Sequence, residues 1–179
     1  MISEDRNATA VRRLAKIAGI ALAVLTLTAA HPGAHDAQPM PVAAQQTAPV
    51  DAATPVGTVA AFHAALASGN TTSALEFLAE DVQIFESGGV ESSRAEYASH
   101  HLASDAAFSS AVPRTLVSRT SGEDGASAWV MSVEMVVGTY RARAINSRSV
   151  ETMMLRKTDG LWRIIHIHWS SQDIRADAG

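Results

Sequence analysis

Residues 162–171 read WRIIHIHWSS, and the fold turns on how this stretch is read. Isoleucines and histidines alternate between two tryptophans. Such β-branched and aromatic enrichment marks a strand. Under strict alternation Ile165, Ile167 and Trp169 share one face, while Trp162, Ile164, His166, His168 and Ser170 share the other. Both faces are apolar enough to need a cover. Helices are expected on one side. On the other, a second copy packed sheet to sheet is the simplest cover, so a homodimer is expected. The two imidazoles, on one face, are expected to look into a cavity.

The preceding sequence supplies the rest of the sheet. TLVSRT, SAWVMSVEMVVGTYRAR and SVETMMLRK are strand-like, with GEDG and TDG as turn signals between them. In the second of these, Trp129, Met131, Val133 and Met135 alternate with Ala128, Val130, Ser132, Glu134 and Val136. Helical patterns come earlier. Val59, Phe62 and Leu66 recur at helical spacing after Pro55, with Thr54 as N-cap. TTSALEFLAE reads as a shorter second helix and VQIFE as a first strand. SSRAEYASHHLASDAAF reads as a third helix, with Ser93 and Glu96 at capping-box spacing. Helices followed by strands indicate an α+β domain over residues 55–173, its helices packed on a mostly antiparallel sheet. Residues 174–179 form a tail.

Two segments precede this domain. Arg6, Arg12, Arg13 and Lys16 lead into the apolar run IAGIALAVLTLTAA, which ends in small residues. A basic lead, a short apolar core and a small-residue end read as a signal peptide over residues 1–30. The run is shorter than the roughly 20 residues a spanning helix needs. The expected location is periplasmic or secreted, with no membrane attachment after cleavage. Residues 31–54, rich in Pro, Ala and Gln, read as a flexible linker. The whole chain of 179 residues carries a formal charge of −4 with no basic run, which argues against a nucleic-acid partner. It has no cysteine, which excludes disulfides and thiol catalysis.

FHAALASGN at residues 62–70, FLAEDVQIFE at 77–86 and DGLWRIIHIHWSS at 159–171 together resemble the nuclear transport factor 2-like superfamily, in its SnoaL-like and ketosteroid-isomerase-like branch. The resemblance covers nearly all of residues 56–172, and the closing W-x-I-x-H-x-H-x-S is its most specific part. It implies a cone: about three helices over a strongly bent sheet, with a pocket between them. Members include ketosteroid isomerases, polyketide cyclases, dehydratases, epoxide hydrolases and a kinase association domain, so the fold implies a pocket without naming a reaction. An ungapped match puts Phe62 where ketosteroid isomerases carry an oxyanion-binding tyrosine, and Glu86 where they carry the base. Phenylalanine cannot donate a hydrogen bond.

Glu86, at a strand end beside a covered pocket, is the expected general base. His166 and His168, about 6–7 Å apart along a strand, are its expected catalytic partners. Their H-x-H spacing fixes only two ligands, so no metal and no other cofactor is expected. His101 shares a helix face with Tyr97 and is expected to point inward, with His100 outward. Phe62, Tyr97, Glu134 and Trp162 complete the expected ligand-binding set, with a histidine as the partner a buried Glu134 would need. No phosphate loop and no G-x-S-x-G elbow is present. Three functions fit. The first is binding of a small apolar or weakly polar ligand. The alternative is proton-transfer catalysis (isomerase, cyclase or dehydratase). The third is a purely structural or assembly role.

Overall fold

The computed structural model describes residues 52–175. The expected signal segment (1–30), almost all of the linker and most of the tail lie outside the described residues. Helix α1 (Pro55–Ala67) starts where Thr54 accepts a hydrogen bond from the Gly57 amide at 3.0 Å, and it buries Val59, Phe62 and Leu66. Helix α2 (Thr71–Glu76) is capped by Asn70. It ends earlier than its sequence suggests, because residues from Leu78 onward join strand β1 (Leu78–Glu86). A short strand β2 (Gly89–Glu91) turns back on β1.

The expected third helix is interrupted at His101, giving α3 (Arg94–His100) and α4 (Leu102–Ala111). Backbone bonds still run through the break, from the His101 amide to Tyr97 and from the Asp105 amide to His101. The two helices therefore share one stripe. The capping box forms: Ser93 accepts from the Glu96 amide, and the Glu96 carboxylate accepts from the Ser92 amide.

Four long strands follow: β3 (Arg114–Asp124), β4 (Ser127–Tyr140), β5 (Arg143–Thr158) and β6 (Leu161–Asp173). The β4–β5 connection is a two-residue turn at Arg141 and Ala142, both at positive φ (49° and 62°). Among the described residues the sheet order is β2-β1-β6-β5-β4-β3, antiparallel except for the parallel pair β1/β6.

The register of β6 departs from strict alternation. Ile164 pairs with Leu155, yet His166 pairs with the adjacent Met154, so Ile165 is an extra residue in a β-bulge. The bulge changes which side chains share a face. Trp162, Ile164, Ile167 and Trp169 are all buried on the inner face, while His168 is exposed and His166 partly so on the outer one. The expectation that both imidazoles share a face with Trp162 and Ile164 is therefore corrected.

The inner face of the sheet is graded in polarity. At one end lie the cross-strand rows Ala128–Leu155–Ile164 and Val130–Met153–Ile167–Ile84, under α1 and α2. The next row is Ser132–Glu151–Trp169–Glu86, and beyond it comes Glu134–Ser149–Ser171. Glu151 is 1% exposed. Its Oε2 accepts from the Trp169 indole at 2.7 Å and stands 2.8 Å from His63 Nε2. Phe62 stacks on the Trp169 ring, with centroids 6.4 Å apart. Burial disfavours the charge on Glu151, but His63 and Trp169 outweigh it and hold the carboxyl below its ordinary value.

Removing the carboxylate leaves the indole N–H and the imidazole without their acceptor. Glu151→Ala is expected to lose about 3–5 kcal/mol in urea unfolding. A depressed carboxyl stabilises the fold above its unfolded pKa. That contribution is lost as pH falls below about 4.5 and through the lowered value. The parent should weaken over that acid window, and Glu151→Gln should weaken less. An equal acid response in both would refute this assignment.

Candidate functional site

Beyond the polar rows, the sheet and α4 part to leave two adjoining cavities, of about 230 and 250 Å³. Glu86 and Asp105 line both. The first is walled by Leu66 of α1, Phe108 and Ser109 of α4, and Arg114 of β3, and it is floored by Val136, Ser147, Ser149 and Trp169. The second lies between the β1–β2 turn and the α3–α4 stripe, with Glu91, Tyr97 and His101 on its wall.

The side chains at this junction are tied in pairs. Tyr97, fully buried, donates its hydroxyl to Asp105 at 2.9 Å. His101 Nδ1 lies 2.7 Å from the buried carboxylate of Glu91. Arg114 donates from Nη1 to buried Glu134 at 3.2 Å. Glu86 has no such partner. It stands at the rim with one side open to solvent. Burial of the rest of its carboxylate, then repulsion from Asp105, pushes its pKa above the ordinary value against the pull of His101 and Arg114. Asp105 is also raised, chiefly by burial, although the Tyr97 hydroxyl favours its charged form. Burial and the Asp105 charge raise the Tyr97 phenol far out of the physiological range, so it acts only as a donor. The hydrogen bond to Glu91 leads the causes that raise His101.

Of the expected residues, Glu86, Tyr97 and His101 meet here. His101, however, is 61% exposed by side chain and His100 58%, so the expected inward and outward split is absent. Glu134 is on the pocket side, and its partner is Arg114 rather than a histidine. Phe62 is sealed in the core against Trp169. Trp162 is buried at the apolar end, with Lys157 Nζ 5.5 Å from its ring centroid. His166 and His168 are on the far side of the sheet. His166 donates from Nδ1 to the Gln83 carbonyl at 3.1 Å and meets Phe85 edge-on, so neither histidine can serve Glu86 across the cavity. Among the described residues no cluster of three or more His, Asp or Glu side chains could hold a metal ion.

Asp105, Arg114, Ser147 and Ser149 did not emerge from the sequence. Asp105 was within reach, since Tyr97, His101 and Asp105 follow at four-residue steps along one stripe. Arg114 and the serines carried no signal, because their register was unset.

Comparison with known proteins places this geometry in context. A family model described as a SnoaL-like domain matches residues 57–173. A candidate ketosteroid isomerase from Shewanella frigidimarina NCIMB 400 is 40% identical. The match covers 68% of this chain and 98% of that one, with a TM-score of 0.63. A candidate calcium/calmodulin-dependent protein kinase II association domain from Xanthomonas campestris is 24% identical over 74% and 97% of the two chains, with a TM-score of 0.57. A candidate dehydratase of the NTF2-like family from Streptomyces avermitilis is 19% identical over 66% and 92%, with a TM-score of 0.56. The last two likenesses speak to fold alone. No curated protein matches.

Because Asp105 is the largest charge acting to raise Glu86, Asp105→Asn should move the Glu86 titration down toward 4.5. Carbon-detected NMR of the glutamate carboxyls reads this directly. An unmoved Glu86 midpoint would separate the two groups electrostatically.

Proposed function

The chain belongs to the SnoaL-like family, and from that premise we propose that it binds a small molecule in the α4–sheet cavity and moves a proton on it, with Glu86 as the base. One observation carries this reading: Glu86 alone among the junction carboxylates has no hydrogen-bonded partner, while its pKa is pushed upward by burial and by Asp105. A carboxylate poised nearer neutrality is the better base for a weakly acidic C–H. Charge developing on the ligand would be met by the Arg114 guanidinium, which lines the same cavity. The likeness to a candidate ketosteroid isomerase supports the reaction class. Phe62 offers no hydroxyl, so Arg114 takes the electrostatic role here. His166 and His168 have no place in this mechanism.

Incubation with small ketones in D₂O should give solvent exchange at the carbon beside the carbonyl. Its kcat/KM should rise with pH as Glu86 ionises. Glu86→Gln should slow the exchange on the order of 10²-fold or more. Undiminished exchange would eliminate Glu86 as the base.

A second reading concerns assembly. The outer sheet face exposes Trp129, Met131, Val150 and Met154, between 38% and 46% each. Such a patch needs a cover, and a second copy is the cover we propose. Export through residues 1–30 belongs to the same proposal. Protein purified from its native cells should begin near residue 31 by mass spectrometry and sediment as a dimer, and Met131→Glu should sediment as a monomer. A parent that stays monomeric at high concentration would remove the dimer.

A further inference from the structure

The floor of the first cavity sets two hydroxyls beside Val136 and Trp169. Ser147 and Ser149 are 8% and 7% exposed, and both line the cavity. Their hydroxyls make no side-chain hydrogen bond among the described residues and stay open to the cavity. On the facing wall, Ser109 Oγ and Arg114 Nε are buried without a partner. Both residues line the same cavity. Native interiors rarely leave polar groups unpaired, and these two, facing the open hydroxyls of Ser147 and Ser149, suit a ligand that offers several oxygens.

We propose that this cavity takes a small, neutral, multiply hydroxylated carbonyl compound of about five or six carbons, more polar than the apolar or weakly polar ligand that the sequence suggested. The proposal rests on the proton-transfer reading for its carbonyl and on the hydroxyl lining for everything else.

Three observations define the class. A hydrocarbon would bury the Ser147 and Ser149 hydroxyls unpaired, and sites built from such groups reject analogues that lack the matching oxygens. Two steps along a strand put these hydroxyls about 6–7 Å apart, so they read oxygens at separated positions of one short molecule. Ser149 also pairs across the sheet with Ser171, another cavity residue, which extends the row sideways. The charge balance sets neutrality. Glu86 and Asp105 face the cavity, and the one lining guanidinium, Arg114, shares its charge with Glu134 through Nη1 while its Nε is unpaired, enough to meet charge passed on from Glu86 but not an added full charge. An added carboxylate or phosphate would meet net repulsion. Size sets the scale. The cavity that carries the hydroxyls is about 230 Å³, below the roughly 300–1,000 Å³ that holds drug-sized ligands, and a second of about 250 Å³ adjoins it at Glu86 and Asp105.

The test uses a carbon-matched pair, D-xylulose and 2-pentanone, titrated by calorimetry into the full chain. Xylulose should bind at least tenfold more tightly. In the Ser147→Ala/Ser149→Ala double variant its affinity should fall on the order of tenfold while that of 2-pentanone holds, as expected for lost ligand hydrogen bonds. The variant should melt close to the parent, because neither hydroxyl holds a side-chain bond among the described residues, which guards against misfolding. Equal or tighter binding of 2-pentanone, or binding of neither ketone, overturns the proposal. Binding of xylulose without solvent exchange upholds the ligand class and removes the proton transfer. Exchange of 2-pentanone with no preference for xylulose does the reverse.

Discussion

One inserted residue, Ile165, sets the orientation of everything around it. A strand without a bulge would place Trp162 and Ile164 on one side and Ile167 and Trp169 on the other. The bulge lets all four bury together. Burying each large apolar side chain is worth about 1.5–3 kcal/mol, which outweighs the ladder hydrogen bonds that a bulge disturbs. Trp169 then arrives on the inner face with its indole aimed at Glu151 and its ring under Phe62. Both imidazoles are turned outward by the same step.

From that arrangement follows the division of labour across the inner sheet. The apolar rows hold the helices and supply the stability. The polar rows, beginning with that of Glu151, border the cavity. Glu151 stands at the boundary. It is deep enough to be desolvated and close enough to His63 and Trp169 to stay ionised. One step sideways in the same row, past Trp169, Glu86 reaches the rim. Partial burial and a like-charged neighbour shift it in the opposite direction. Two carboxylates of one cross-strand row are thus driven apart in acidity by their surroundings, the pattern expected where one is structural and the other reactive.

Much of this was legible in the chain itself. Thr54, Ser93 and Glu96 announce helix starts because capping chemistry is local. The alternation from Ala128 to Val136 separates the two faces of β4 and puts Glu134 with Ala128 and Val130, but does not say which face is buried. The SnoaL-like pattern gives the fold and places Glu86. The failures share a cause. A bulge inside an apolar run leaves no mark, since isoleucine at 164, 165 and 167 suits either face, and a one-residue slip reverses every side chain after it. Strict alternation therefore sends both imidazoles to the face of Trp162 and Ile164. Arg114, Ser147 and Ser149 are unremarkable as residues, and their meaning comes from cross-strand neighbours that sequence order does not reveal. Asp105 is a different case: it stands one further step along the stripe that Tyr97 and His101 begin.

The strand order also governs how this domain comes into being. β6 is the last of the strands to be synthesised, yet it belongs between β1 and β5. Until it emerges from the ribosome, β1 and β5 each present an open edge, and the inner apolar rows lack Ile164, Ile167 and Trp169. The nascent domain is consequently a sheet in two pieces, prone to pairing with the wrong strands and dependent on a contact that spans its whole length. Folding must wait for the end of translation of the domain. Whatever shields the chain in the interval acts on that divided sheet.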